Sequence, residues 1–233
     1  IYDFFKVRNY QRKIVSSRDI RSKQVWEILS EAGKQVIVIN SPLSYPPPHV
    51  NGALIAGMLT PSLDSDFTYP PGMKEEILER NYTIGVELEP GARSNVARSF
   101  AFTRDEGLIR PLIEMFNDVE ETRAEIAFWL MGRYDWDFLF VMFESSDRLQ
   151  HYFWTDDTLC IVLEHYKKLD ELVGEFLRRA DDGTTIIVLS DHGFAPIKKK
   201  LYINSVLMDL GMLTPQRFRN SKSRVLELGR KAA

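Results

Sequence analysis

Residues 137–152 read Asp-Phe-Leu-Phe-Val-Met-Phe-Glu-Ser-Ser-Asp-Arg-Leu-Gln-His-Tyr, and the change of pattern inside this stretch decides the fold. Its first half, Asp137–Phe143, is a short apolar and aromatic run without helical spacing, which predicts a buried strand. Its second half turns polar and sets Asp147 and His151 four residues apart. On a helix beginning there the two side chains share a face. The carboxyl ends of parallel strands are where α/β proteins place ligands.

Two further runs have the same character, Gln35–Asn40 (QVIVIN) and Thr184–Ser190 (TTIIVLS). Near-continuous apolarity marks strands covered on both faces, as in a parallel sheet between helix layers. Amphipathic helices are predicted around them. Lys23–Ala32 carries Val25, Trp26, Ile28 and Leu29 ahead of Gly33, a C-cap. A second helix covers about Val119–Arg133. The third, Leu159–Arg179, keeps apolar residues at i, i+3 and i+4 from Leu159 to Leu177. Helix alternates with strand, so the expected class is α/β: a mostly parallel sheet sandwiched by helices, with right-handed crossovers.

The stretch from Pro46 to about Arg104 differs. Pro46-Pro47-Pro48, Gly52, Gly57, Pro61, Pro70-Pro71-Gly72 and Pro90-Gly91 punctuate it, with one strand-like run at Tyr82–Leu88. That density of breakers predicts an irregular insertion or cap, residues 46–104, within a single core spanning 1–233.

The chain has 233 residues, 44% of them apolar and 27% charged, with a net charge of -3. Such a length buries a core without staples. The charge balance gives no footprint for specific nucleic-acid binding and no polybasic membrane patch. Lys198, Lys199 and Lys200 form the tight basic run and read as a solvated loop. Cys160 is the lone cysteine, which excludes an intramolecular disulfide and reads as a core residue. No apolar run approaches the ~18 residues of a membrane span.

The chemistry lies at two strand ends. Carboxylate oxygen and neutral imidazole nitrogen are ligands of zinc and related divalent metals, and Asp147 with His151 could chelate one. Alone, the pair reads equally well as a helix cap beside a surface histidine. The third predicted strand ends in Ser190-Asp191-His192-Gly193-Phe194, where a strand-end bend turns Asp191 and His192 toward one point. Its alternative is a turn with Asp191 bonding the local backbone. Two such sets are more specific than either. Two metals ~3.5–4 Å apart clamp the attacking and leaving oxygens of a phosphoryl displacement.

The patterns Ser-Ser-Asp-Arg-x-Gln-His-Tyr and Ser-Asp-His-Gly-Phe resemble the type I phosphodiesterase/nucleotide pyrophosphatase family of the alkaline phosphatase superfamily. The likeness is closest to archaeal and bacterial phosphohydrolases of that family. Leu29–Pro47 and Lys198–Met212 are similar to it as well. The resemblance implies an alkaline-phosphatase-like core and hydrolysis of phosphodiester or pyrophosphate bonds in a phosphorylated small molecule or nucleotide. It implies two divalent metal ions, zinc or else manganese, and a covalent intermediate on a Thr or Ser nucleophile. Carried over, Asp147 and His151 bind the first metal with a later histidine. Asp191 and His192 bind the second with an early aspartate and the nucleophile.

Ile1–Phe5 is similar to the segment that follows the family's nucleophile motif. The nucleophile is therefore expected upstream of Ile1, in a chain cut at both ends, with weak metal binding and no turnover by itself. A phosphomonoesterase, phosphomutase or sulfatase on the same scaffold is the competing enzyme reading. A degenerate member that only binds a phosphorylated ligand is the non-enzymatic one.

Several other residues invite a role. Thr60 reads as a structural or substrate-proximal loop residue and His49 as a loop residue. His165 reads as a solvent-exposed helix residue. Glu144 is a supporting carboxylate behind the site. Arg148 is a cation beside the metals or the partner of a local carboxylate. Phe128, Trp129 and Trp136 read as core.

Overall fold

The computed structural model describes residues 5–8, 11–85, 106–155 and 157–214. The chain divides into two compact units, Ile1–Phe194 and Ala195–Ala233. In the first, β1 (Phe5–Arg8) and β2 (Gln11–Ile14) form an antiparallel hairpin. Helix α1 (Val25–Glu31) leads into β3 (Val36–Ser41). Then come β4 (Gly52–Ala56), β5 (Thr68–Tyr69) and the short α2 (Lys74–Leu78). The long α3 (Glu106–Arg133) precedes β6 (Phe138–Val141), and α4 (Ser145–Phe153) and α5 (Leu159–Arg179) follow. The second unit holds α6 (Ile203–Asp209), with Lys198, Lys199 and Lys200 exposed.

The main sheet has the order β5-β4-β3-β6. Strand β3 runs parallel to both neighbours, with Ile39 opposite Ile55 and Val141, while β5 is antiparallel. Successive strand residues face opposite sides, so the burial of all six β3 residues means that both faces are covered. Trp26 of α1 and Ile126, Ala127 and Leu130 of α3 pack into this core. Each fully buried Ile or Val contributes roughly 1.5–3 kcal/mol. The expected α/β class, a mostly parallel sheet flanked by helices, is what the chain adopts.

A smaller apolar cluster fixes the helix that matters for function. Leu112 and Phe116 of α3, Leu149 and Phe153 of α4, and Val162 of α5 pack together. The Leu149–Phe153 spacing of four turns one face of α4 inward. Asp147 and His151 are left outside, both half-open to solvent.

Several expectations change. Thr184–Ser190 is not a strand: it joins no sheet among the described residues and exposes Ile187, Val188 and Leu189 by about three-quarters. β-branched apolarity equips a run for pairing, but a strand needs a ladder neighbour, and among the described residues this run has none. Strand β4 lies inside the stretch 46–104 and joins the main sheet. Gly52 opens it with φ 136°, and a Cβ there would overlap the Val36 carbonyl, so the position requires glycine. Tyr82–Gly85 pairs with no strand among the described residues, and the rest of that strand-like run falls outside them.

Helix α3 begins well before Val119 despite Pro111, since Leu112 and Phe116 are buried against α4 and α5. Tertiary packing outweighs the breaker. Cys160 is exposed rather than core. Among the described residues no helix is long and apolar enough to cross a membrane.

His165 reverses its expected exposure. It is buried on α5, its Nδ1 2.7 Å from Asn117 Oδ1 of α3, and Nε2 has no partner among the described residues. Burial pushes its pKa below the ordinary 6.5, against the pull of nearby Glu120. The folded state therefore binds the proton less readily than the unfolded chain. Stability is complete above about pH 6.5 and falls as pH drops below it. His165→Gln should flatten that acid-side decline in melting temperature; an unchanged slope would show that His165 does not drive it.

Candidate metal centre

Asp147 is the hub of the site. It stands in the first turn of α4, and its Oδ2 lies 3.6 Å from Nε2 of His151, one turn on. Its other oxygen, Oδ1, lies 3.9 Å from Nε2 of His192. Asp191 Oδ1 approaches the same His192 nitrogen at 3.7 Å. The four residues singled out in sequence therefore meet in one cluster, joined through the two oxygens of Asp147.

Local structure aims His192. Its Nδ1 is 3.0 Å from the Gly193 carbonyl, so Nδ1–H donates and Nε2 keeps the lone pair that faces the carboxylates. Ser190 Oγ donates to the His192 carbonyl at 2.6 Å. The Phe194 ring stands edge-on to His151 at 4.9 Å and contacts Trp154 at 5.3 Å, seating this loop on α4. A histidine whose second nitrogen is held by a backbone carbonyl is the usual arrangement of a metal ligand.

The donor set fits a divalent cation in kind. Two ligands of one tetrahedral ion, each at ~2.0–2.2 Å, stand roughly 3.3–3.6 Å apart. The observed separations lie at or just beyond that range. Among the described residues no three His, Cys, Asp or Glu side chains close into a metal cage. The cluster is open: the Asp191 side chain is 79% exposed and Asp147 43%.

Behind α4 lies a buried polar network that the sequence reading passed over. Glu120 and Arg123 of α3 pair with each other, both side chains fully buried. Glu120 Oε1 accepts the Ser145 N–H at 2.7 Å, and Arg123 Nη2 donates to the Ile84 carbonyl at 3.3 Å. Burial opposes the Arg123 charge, but Glu120, Tyr82 and Glu144 outweigh it and raise the pKa. The buried Tyr82 hydroxyl is pushed up to about 12 by loss of solvent. Glu144 is buried too, and burial raises its carboxyl pKa against the pull of Arg123 and Arg148. Arg148 reaches Glu144 at 3.9 Å, so it is a local partner. Gly85 permits this packing, since a Cβ there would collide with the Glu144 carboxylate.

A signal for this network exists in sequence. Phe116, Glu120, Arg123, Ala127 and Leu130 follow one i+4, i+3 stripe, so two charges occupy the buried face of α3. Thr60, by contrast, is spent on its loop, donating to the Gly57 carbonyl at 2.7 Å. His49 is an exposed loop residue against Tyr69.

The fold is a mainly parallel α/β sheet with two carboxylates and two imidazoles gathered at the start of α4. The model of the type I phosphodiesterase / nucleotide pyrophosphatase family matches residues 2–230, and the chain belongs to that family. Neither the curated proteins nor the solved structures gave a match. The family acts on phosphorylated small molecules by phosphoryl transfer.

Breaking a buried ion pair leaves an uncompensated charge and costs about 3–5 kcal/mol. Arg123→Met should lower the unfolding free energy by that amount in urea denaturation. A loss below about 1 kcal/mol would mean that the pair adds little.

Proposed function

We propose that this protein hydrolyses phosphodiester or pyrophosphate bonds with two divalent metal ions held by Asp147, His151, Asp191 and His192. The observation that carries the reading is Asp147, whose two oxygens face histidines from two separate parts of the chain. Two imidazoles and two carboxylates suit zinc first and manganese second. Bound cations would stabilise charge on the phosphoryl oxygens and lower the pKa of an attacking hydroxyl.

The chain's own residues orient and hold. Helix α4 presents Asp147 and His151 on one face, and the Gly193 carbonyl fixes the His192 tautomer. The openness of the cluster leaves room for an extended substrate to reach it. Thr60 and Ser190 both donate to backbone carbonyls in their own loops, so neither is the nucleophile in this reading. The intermediate is an ester of a Thr or Ser, cleared by water.

The test is an assay of the full-length protein with a chromogenic phosphodiester and a chromogenic monoester, with and without Zn²⁺ or Mn²⁺. Metal-dependent turnover of the diester is expected, and Asp191→Asn should reduce it at least 100-fold, about the scale of losing a ligand or its support. Preference for the monoester would transfer the reading to a phosphomonoesterase. Retention of most of the rate in Asp191→Asn would sink the two-metal proposal.

A further inference from the structure

Helix α4 carries two of the four candidate ligands, yet its N-cap, Glu144, makes no side-chain capping bond. The first-turn amides of a helix need acceptors when they are buried. Ser145, the first residue of α4, is buried, and its N–H goes to Glu120 Oε1 on a different helix. The cap is thus supplied from α3.

That acceptor is unusually fixed. The second oxygen of Glu120 is held by Arg123, and Arg123 is anchored in turn on the Ile84 carbonyl. Ser145 Oγ also faces the Phe116 carbonyl of α3 at 3.5 Å. Asp147 stands two residues beyond Ser145, in the same turn. Glu120 thus ties that turn to α3, and within it the Asp147 oxygens face His151 and His192.

We propose that Glu120 is a positioning residue of the metal centre: it holds the first turn of α4 from outside and so places Asp147. The inference rests on the metal reading above. Removing the Glu120 acceptor unties the Ser145 amide from α3 and lets the first turn of α4, with Asp147, shift relative to the histidines.

The test compares wild type, Glu120→Gln and Glu120→Ala in the full-length protein, well below the melting temperature of each. Zn²⁺ affinity is measured by calorimetric titration, and protection of the Ser145 amide by hydrogen exchange. Glu120→Gln keeps an oxygen acceptor and should stay within about threefold of wild type, with Ser145 protected, although Arg123 loses its counter-charge. Glu120→Ala should lose about 10–100-fold in affinity, the scale for residues that orient a ligand, and lose Ser145 protection while the β3 amides keep theirs.

Wild-type affinity in folded Glu120→Ala overturns the proposal. So does an equal loss in both variants that tracks their melting temperatures. Where Glu120→Ala does not fold, Glu120→Asp retains the charge but shortens the reach. A drop in its affinity supports the assignment, and wild-type affinity overturns it. Absence of Zn²⁺ binding by the wild-type protein overturns the metal reading and this inference together. Wild-type binding with no effect at Glu120 overturns this inference alone.

Discussion

A carboxylate with no exposed surface persists in a protein only when its oxygens are occupied. Glu120 meets that condition through two groups, the guanidinium of Arg123 and the N–H of Ser145. The first contact is local to α3, and the second ties α3 to the start of α4. Because α3 also packs on the sheet through Ile126, Ala127 and Leu130, the tie places the first turn of α4 relative to the core. Asp147 follows within that turn. The geometry of the candidate centre therefore depends on a buried charge that lies outside it.

The centre itself is built from unequal supports. His151 needs only the helical repeat of α4, with Leu149 and Phe153 anchoring the opposite face. His192 depends on a loop seated by one ring, Phe194, and oriented by one backbone carbonyl. Asp191 is the most exposed of the four. Exposure thus rises from Asp147 to Asp191. Glu144 and Arg148 stand behind this open edge as a local pair and keep one charge of each sign there.

Much of this was legible in the sequence because it rests on local rules. The pattern from Leu159 to Arg179 predicts α5 to the residue, and the apolar runs predict β3 and β6. The i, i+4 spacing puts Asp147 and His151 on one face, as observed. What escaped depends on partners remote in the chain. Thr184–Ser190 has a strand's composition, yet pairing belongs to a neighbour that composition does not name. His165 lies beside Glu164 on a helix that looks polar there, and only Asn117 across α3 makes its burial tolerable. Glu120 and Arg123 look like solvated charges until the stripe with Phe116 and Leu130 is traced. The link of Asp147 to His192 follows from no spacing at all, since more than forty residues part them.

In the proposed two-metal centre Asp147, seated by the α3–α4 tie, brings the two histidines together. Anomalous diffraction at the zinc edge from crystals of the full-length protein grown with Zn²⁺ addresses it most directly. Zinc is expected within about 2.0–2.2 Å of an Asp147 oxygen and of Nε2 of His151 or His192, with Glu120 still bonded to the Ser145 amide. Zinc bound elsewhere with Asp147 unliganded, or an Asp147 side chain folded back onto its own helix, would contradict it.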